Sequence, residues 1–133
     1  MLCVFDSLTG KVTVVPGIDT ALYTPGQPVW VPAPAEAGPG TYRLLYTRWS
    51  NQPRRLGMIY CFQRPCGVCS ADLSTLLTAP EAAAGEESVV HYCLTESLPL
   101  ARSPRVTPSG QHVVFIGRHA AMDTHQAQPR STF

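Results

Sequence analysis

Cys66-Gly67-Val68-Cys69 is the only tight cysteine pair in the chain. A C-x2-C spacing lets two thiolates grip one ion across a tight turn, and Gly67 would ease that turn. His91 and Cys93 stand two positions apart in the run Ser88 to Thr95, SVVHYCLT. On a strand that spacing sends both side chains to one face. Cys66, Cys69, His91 and Cys93 together make a Cys3His set, the closed tetrahedral coordination of a structural zinc site. Cys61 and His112 are substitute ligands in the same expectation. The competing reading is plain packing, because free cysteine is among the most buried residue types. That reading is strongest for Cys3, Cys61 and Cys93, which sit inside apolar runs.

The elements that must position these residues read mostly as strands. Leu2 to Phe5 and Val12 to Val15 flank Asp6 to Lys11, and Gly10 can take a positive φ there, so the segment predicts a hairpin. Val29-Trp30-Val31 lies between Pro28 and Pro32 and reads as an edge strand, because proline cannot donate to a ladder. Pro32 to Gly40 reads as a loop. Thr41 to Trp49 predicts a strand with Tyr42, Leu44, Tyr46 and Arg48 on one face and Arg43, Leu45, Thr47 and Trp49 on the other. Both faces mix apolar and polar groups. Leu56 to Phe62 is nearly continuously apolar and predicts a central strand buried on both sides.

Ser70 to Leu77 predicts a short helix capped by Ser70, with Leu73, Leu76 and Leu77 on one face and Pro80 as its limit. Glu81 to Glu87 reads as a second short helix weakened by Gly85. Ser88 to Thr95 reads as a strand and Leu98 to Gly110 as a proline-rich loop. His112 to Ile116 is the last strand. The expected fold is mainly β, a sandwich or open barrel of about seven strands with one or two short helices. Residues 1–119 would form a single domain and 120–133 a flexible C-terminal tail.

Between Leu56 and about Ala120 the order of an apolar strand, C-x2-C and an amphipathic helix resembles the thioredoxin and glutaredoxin pattern. The resemblance implies an α+β C-terminal half and a thiol–disulfide oxidoreductase. Cys66 would be the nucleophile, its pKa lowered at a helix N-terminus, and Cys69 the resolving thiol.

Bulk composition narrows the partners. The chain has 133 residues, a formal net charge of +1 and 14% charged residues. Phosphate binding needs a clustered excess of Lys and Arg, so a nucleic-acid partner is not expected. No run approaches the roughly 18 apolar residues of a membrane span, so no membrane partner is expected either. The low surface charge favours association, as a homo-oligomer or a subunit of a larger assembly. Five cysteines is an odd number, and Met1 to Phe5 is too short for a signal peptide. Free thiols or a metal in an intracellular protein, cytoplasmic or nuclear, are therefore expected.

Lys11 is the only lysine against nine arginines, and Pro, Gly and Ala are abundant. That bias suits a GC-rich virus or bacterium. The acidic residues do not pair for general acid–base work, and there is no phosphate-cradling glycine loop and no G-x-S-x-G elbow. The leading expectation is a non-catalytic protein-binding or assembly module, a viral accessory protein, with Trp30, Tyr46, Trp49, Arg54 and Arg55 meeting the partner. Aromatic residues and arginine are enriched at such interfaces.

Overall fold

The structure, a computed structural model, describes residues 1–33, 37–51, 64–78, 89–98 and 100–118. Among them are eight strands and one short helix: β1 (Cys3–Phe5), β2 (Val12–Val14), β3 (Tyr23–Val31), β4 (Arg43–Ser50), β5 (Cys66–Asp72), α1 (Ser74–Thr78), β6 (Val90–Cys93), β7 (Leu100–Val106) and β8 (Val113–Arg118). The mainly β fold with little helix follows the expectation. β1 and β2 form a two-stranded sheet. The other six strands form one sheet in the order β3-β4-β5-β7-β8, with β6 also pairing β5. All pairings are antiparallel except β5 with β7, which are parallel and meet at Cys66 and Leu100.

The β1–β2 hairpin forms where its turn residues demand it. Asp6 accepts hydrogen bonds at its Oδ1 from the Leu8 and Thr9 amides, and Gly10 has φ 73°. An aspartate bonding its own following backbone is a turn-forming device. These bonds, the Leu8 amide first and the Thr9 hydroxyl next, hold the Asp6 carboxyl below its ordinary pKa.

β4 is buried on both faces, which explains its mixed pattern. Leu44 and Tyr46 stand opposite Ala71 and Cys69 of β5. They pack with Leu2, Val15, Leu73 and Val89, and Val4, Leu76 and Leu77 close the margin. The β1–β2 hairpin and α1 therefore cover this face. On the other face Leu45, Thr47 and Val68 are buried, and β7 lies against β3 and β4 with Ala101 and Pro104 buried. Burying a leucine such as Leu44 or Leu45 contributes about 1.5–3 kcal/mol.

Three elements differ from expectation. Ser70 and Ala71 continue strand β5, because Leu45 and Leu44 pair them on one side and Tyr92 and His91 on the other. The helix starts later, at Ser74, where Asp72 Oδ1 accepts from the Ser74 amide at 3.0 Å. The proline-rich Leu98 to Gly110 segment holds β7, whose register shifts between Arg102 and Arg105 around Pro104. A bulge is where a strand tolerates proline. β3 runs well beyond Val29–Val31. It too is bulged, between Gly26 and Val29, and lies at the sheet edge as its prolines require. The strand expected at Leu56–Phe62, the helix at Glu81–Glu87 and the C-terminal tail lie outside the described residues.

Candidate functional site

Cys66 and Cys69 both lie in β5, so their three-residue separation decides their directions. Side chains alternate along a strand, and an odd separation puts them on opposite faces. Cys66 stands opposite Trp49, and Cys69 opposite Tyr46 and Cys93. The two thiols cannot grip one ion, which corrects the Cys66–Cys69–His91–Cys93 zinc set. A C-x2-C on a turn chelates; the same spacing in a strand does not.

Cys69, His91 and Cys93 do share a face, but His91 is already committed. Its Nε2 lies 2.8 Å from the Pro16 carbonyl oxygen and its Nδ1 3.0 Å from the Tyr46 hydroxyl. A carbonyl can only accept, so Nε2 carries the proton and donates. In the neutral ring Nδ1 then accepts from the Tyr46 O–H. Neither nitrogen is left for a metal. The ring also stands edge-on to Tyr46 at 5.9 Å. It presses on Gly17, where an added Cβ would come within 2.9 Å of it and φ is 82°. Among the described residues no group of three or more His, Cys, Asp or Glu side chains is placed to hold a metal ion. Cys61 lies outside the described residues, and His112 precedes β8 at an exposed turn.

The thiols are also tuned away from redox chemistry. Burial raises the Cys66 thiol above its ordinary pKa. Burial first, then the neighbouring Cys93, pushes Cys69 up to about 12. A nucleophilic thiol needs a lowered pKa near a helix N-terminus or a cation. Neither cysteine precedes a helix, because β5 runs on to Asp72.

The residues expected to meet a partner are dispersed. Tyr46 is 1% exposed and belongs to the core, so it is unavailable to a partner. Its burial, together with Cys69, raises the phenol well above its ordinary pKa. Trp49 is half-buried and folds over Gly26, where an added Cβ would lie 2.8 Å from the indole. Trp30 is 48% exposed and meets Tyr42 edge-on at 6.4 Å. It lines a groove of about 550 Å³ with Val4, Leu8, Val31 and Leu77. Arg54 and Arg55 lie outside the described residues.

A second cleft, of about 230 Å³, opens where β5 changes neighbours. β6 pairs with Cys69 to Asp72 and β7 with Cys66, which leaves the Val68 backbone between them. The Val68 amide donates to Thr95 Oγ1 at 2.9 Å and its carbonyl accepts from the Leu94 amide at 2.8 Å. Arg48 stands opposite Gly67 in the β4–β5 register, so no side chain fills the space facing it. Its guanidinium lies 4.3 Å from the centroid of the Tyr23 ring. Strand alternation puts Arg48 on the Tyr46 face, as observed, but no local signal marks this group, because the approach of Tyr23 and Thr95 is a long-range event.

Comparison with known proteins bears on the whole chain. Residues 1–130 match the family described as the N-terminal domain of acylamino-acid-releasing enzyme. The chain is 34% identical over 134 residues to acylamino-acid-releasing enzyme 2 of Oryza sativa subsp. japonica, covering 92% of this chain and 17% of that relative. It is 31% identical over 137 residues to enzyme 1 of the same plant, covering 95% of this chain and 17% of the relative. The Mus musculus acylamino-acid-releasing enzyme is 29% identical over 126 residues, covering 95% of this chain and 14% of the relative. The chain thus spans about one-sixth of the length of the rice relatives, which carry the matching region within a much longer polypeptide. No solved structure matches. These matches overturn the expectations of a viral accessory binding module and of a thiol–disulfide oxidoreductase.

Proposed function

The chain belongs to the family of acylamino-acid-releasing enzyme N-terminal domains, and from that membership we propose that it works as the N-terminal domain of an enzyme that releases acylamino acids. The observation that carries this reading is the match across residues 1–130, which takes in every described element. On this reading residues 1–119 are the β-rich body of the domain, and the bond-breaking residues belong to the rest of the enzyme. Two features of the described residues agree. His91 has both ring nitrogens engaged, and the Cys66 and Cys69 thiols are held neutral, so none of the three is poised as base or nucleophile. β8 carries Val114 and Ile116, 64% and 60% exposed, at an edge of the sheet among the described residues. An exposed apolar edge strand is a surface that natural proteins cover. The remainder of the enzyme, or a second copy of the chain, would cover it.

Among the described residues no helix is long and apolar enough to cross a membrane. The free thiols of Cys3, Cys66, Cys69 and Cys93 support an intracellular location as part of the same proposal.

The test is a chimera in which this chain replaces the matching N-terminal part of the rice enzyme 2. The expected result is release of acetylalanine from an acetylalanyl chromogenic substrate by the chimera, and none by the chain alone. Release by the isolated chain, or a folded chimera with no activity, would overturn the proposal.

A further inference from the structure

The cleft at Arg48 has the makings of a site that the family assignment does not supply. Tyr23, Arg48, Ser50, Gly67, Thr95 and Glu96 line it. Its volume of about 230 Å³ lies below the ~300–1,000 Å³ of drug-sized pockets, so it takes only a small molecule. Arg48 and Arg64 both sit near this end of the sheet and differ in their commitments. Arg64 donates from Nε to the Ser50 carbonyl and from Nη2 to Thr24 Oγ1 and Asn51 Oδ1. Arg48 has the face of Tyr23 and, among the described residues, no hydrogen bond or ion pair. A guanidinium stacked on a ring keeps its N–H edges free and fixed in direction, which suits bidentate capture of a carboxylate. Gly67 opposite contributes no side chain, and a Cβ there would meet Cys93 Sγ at 3.1 Å and Thr95 Oγ1 at 3.4 Å. The glycine therefore keeps the floor of the cleft open.

We propose that this cleft binds a small monocarboxylate, an N-acylated amino acid, through its carboxylate on the Arg48 guanidinium. Glu96 is exposed at the same cleft and makes no ion pair with Arg48. Its charge disfavours a dianion such as phosphate, while its oxygens can accept the amide N–H that an acylated amino acid presents. Ser50 and Thr95 offer hydroxyls to the acyl carbonyl, and Leu98 and Pro65 supply apolar wall. The choice of an acylated amino acid rests on the proposed function, because such a molecule is what that enzyme would release. The carboxylate preference rests on Arg48 alone. The site would sense the product at a distance from the bond-breaking residues.

The experiment is a titration of the isotope-labelled chain with N-acetylalanine, read from the amide signals of Gly67 and Thr95. Saturable shifts are expected there. N-acetylalanine amide, which lacks the charge, is expected to give none. Arg48→Gln should weaken binding about tenfold or more, the range of a lost charged hydrogen bond. Arg48→Lys, which keeps the charge and loses the fork, should fall between. The amide comparison uses the unaltered chain and so decides the matter even if a variant fails to fold. No saturable shift, equal binding of the amide, or equal binding by Arg48→Gln would overturn the site. Acetate or inorganic phosphate binding as tightly as N-acetylalanine would overturn the ligand class. An inactive chimera with intact N-acetylalanine binding would strike the proposed function and leave the carboxylate site standing. An active chimera without binding would strike only the site.

Discussion

The two faces of the β4–β5 pair are closed by different physics. On one, Leu44, Tyr46, Cys69 and Ala71 pack against the β1–β2 hairpin and α1 in an almost wholly apolar cluster. The Tyr46–His91 contact within it is satisfied at both ends. On the other, a chain of hydrogen bonds runs across the packing. Thr47 Oγ1 donates to Gln27 Oε1 at 2.9 Å, and the Ser103 amide reaches Gln27 Oε1 at 2.9 Å and Thr47 Oγ1 at 3.2 Å. Gln27 and Ser103 have φ of 51° and 56°, each inside the bulge of its strand. Two backbone irregularities are thus tied together through one buried threonine. The apolar face supplies bulk stabilisation; the polar face ties the bulges of β3 and β7 to each other across β4, because polar groups withdrawn from water need partners.

The largest expected effect falls on the apolar face. Leu44→Ala removes a side chain that is 3% exposed and leaves a cavity between two packed layers. A loss of about 2–5 kcal/mol is expected in urea denaturation. A loss below about 1 kcal/mol would show that the hairpin collapses into the gap, and that this face is looser than its contacts imply.

Thr47→Val on the other face keeps the shape and removes the hydroxyl. The Ser103 amide retains Gln27 Oε1 as an acceptor, so the expected cost is about 1 kcal/mol. The sharper reading is hydrogen exchange: the Ser103 amide should exchange faster while Leu45 is unchanged. Equal protection of Ser103 in the variant would separate the bulge from the threonine and undo the distinction between the faces.

The smallest effect is a titration. Cys69 is raised from 9.0 to about 12, and the Tyr46 phenol is raised as well. A raised folded pKa favours the protonated form, so this stability is fully present below 9.0 and is lost as pH climbs towards about 12. Denaturation midpoints should fall across that window. The Cys69→Ala variant should fall less steeply, and an identical slope in both proteins would assign the loss to other groups. At neutral pH, Cys69 and Cys66 should react with an alkylating reagent more slowly than the exposed Cys3.

Much of the fold was legible locally. The hairpin at Asp6 to Lys11, the edge placement of the proline-bearing β3, and strands near Thr41–Trp49, Ser88–Thr95 and His112–Ile116 follow from turn chemistry and β-branched runs. The faces of β4 were read correctly, but not that both are buried. The site was far less legible. The C-x2-C pair drew attention for a spacing whose meaning depends on the conformation that carries it. The Arg48 cleft has no motif at all, since Tyr23, Gly67 and Thr95 are far apart in sequence.

Residue types and short spacings by themselves determined that this chain is β-rich, where its first hairpin turns and which side chains share a face of a given strand. These depend on φ/ψ preference, turn chemistry and the two-residue period, all local properties. Tertiary structure alone decided that Ser70 and Ala71 extend a strand instead of opening a helix, because they have partners on both sides in β4 and β6. The same pairing with β4 puts Cys66 to Cys69 in extended backbone, which sends the two thiols to opposite faces and sets Gly67 opposite Arg48. Strand pairing joins residues distant in sequence, and its energy comes from ladders and packing that no short segment contains.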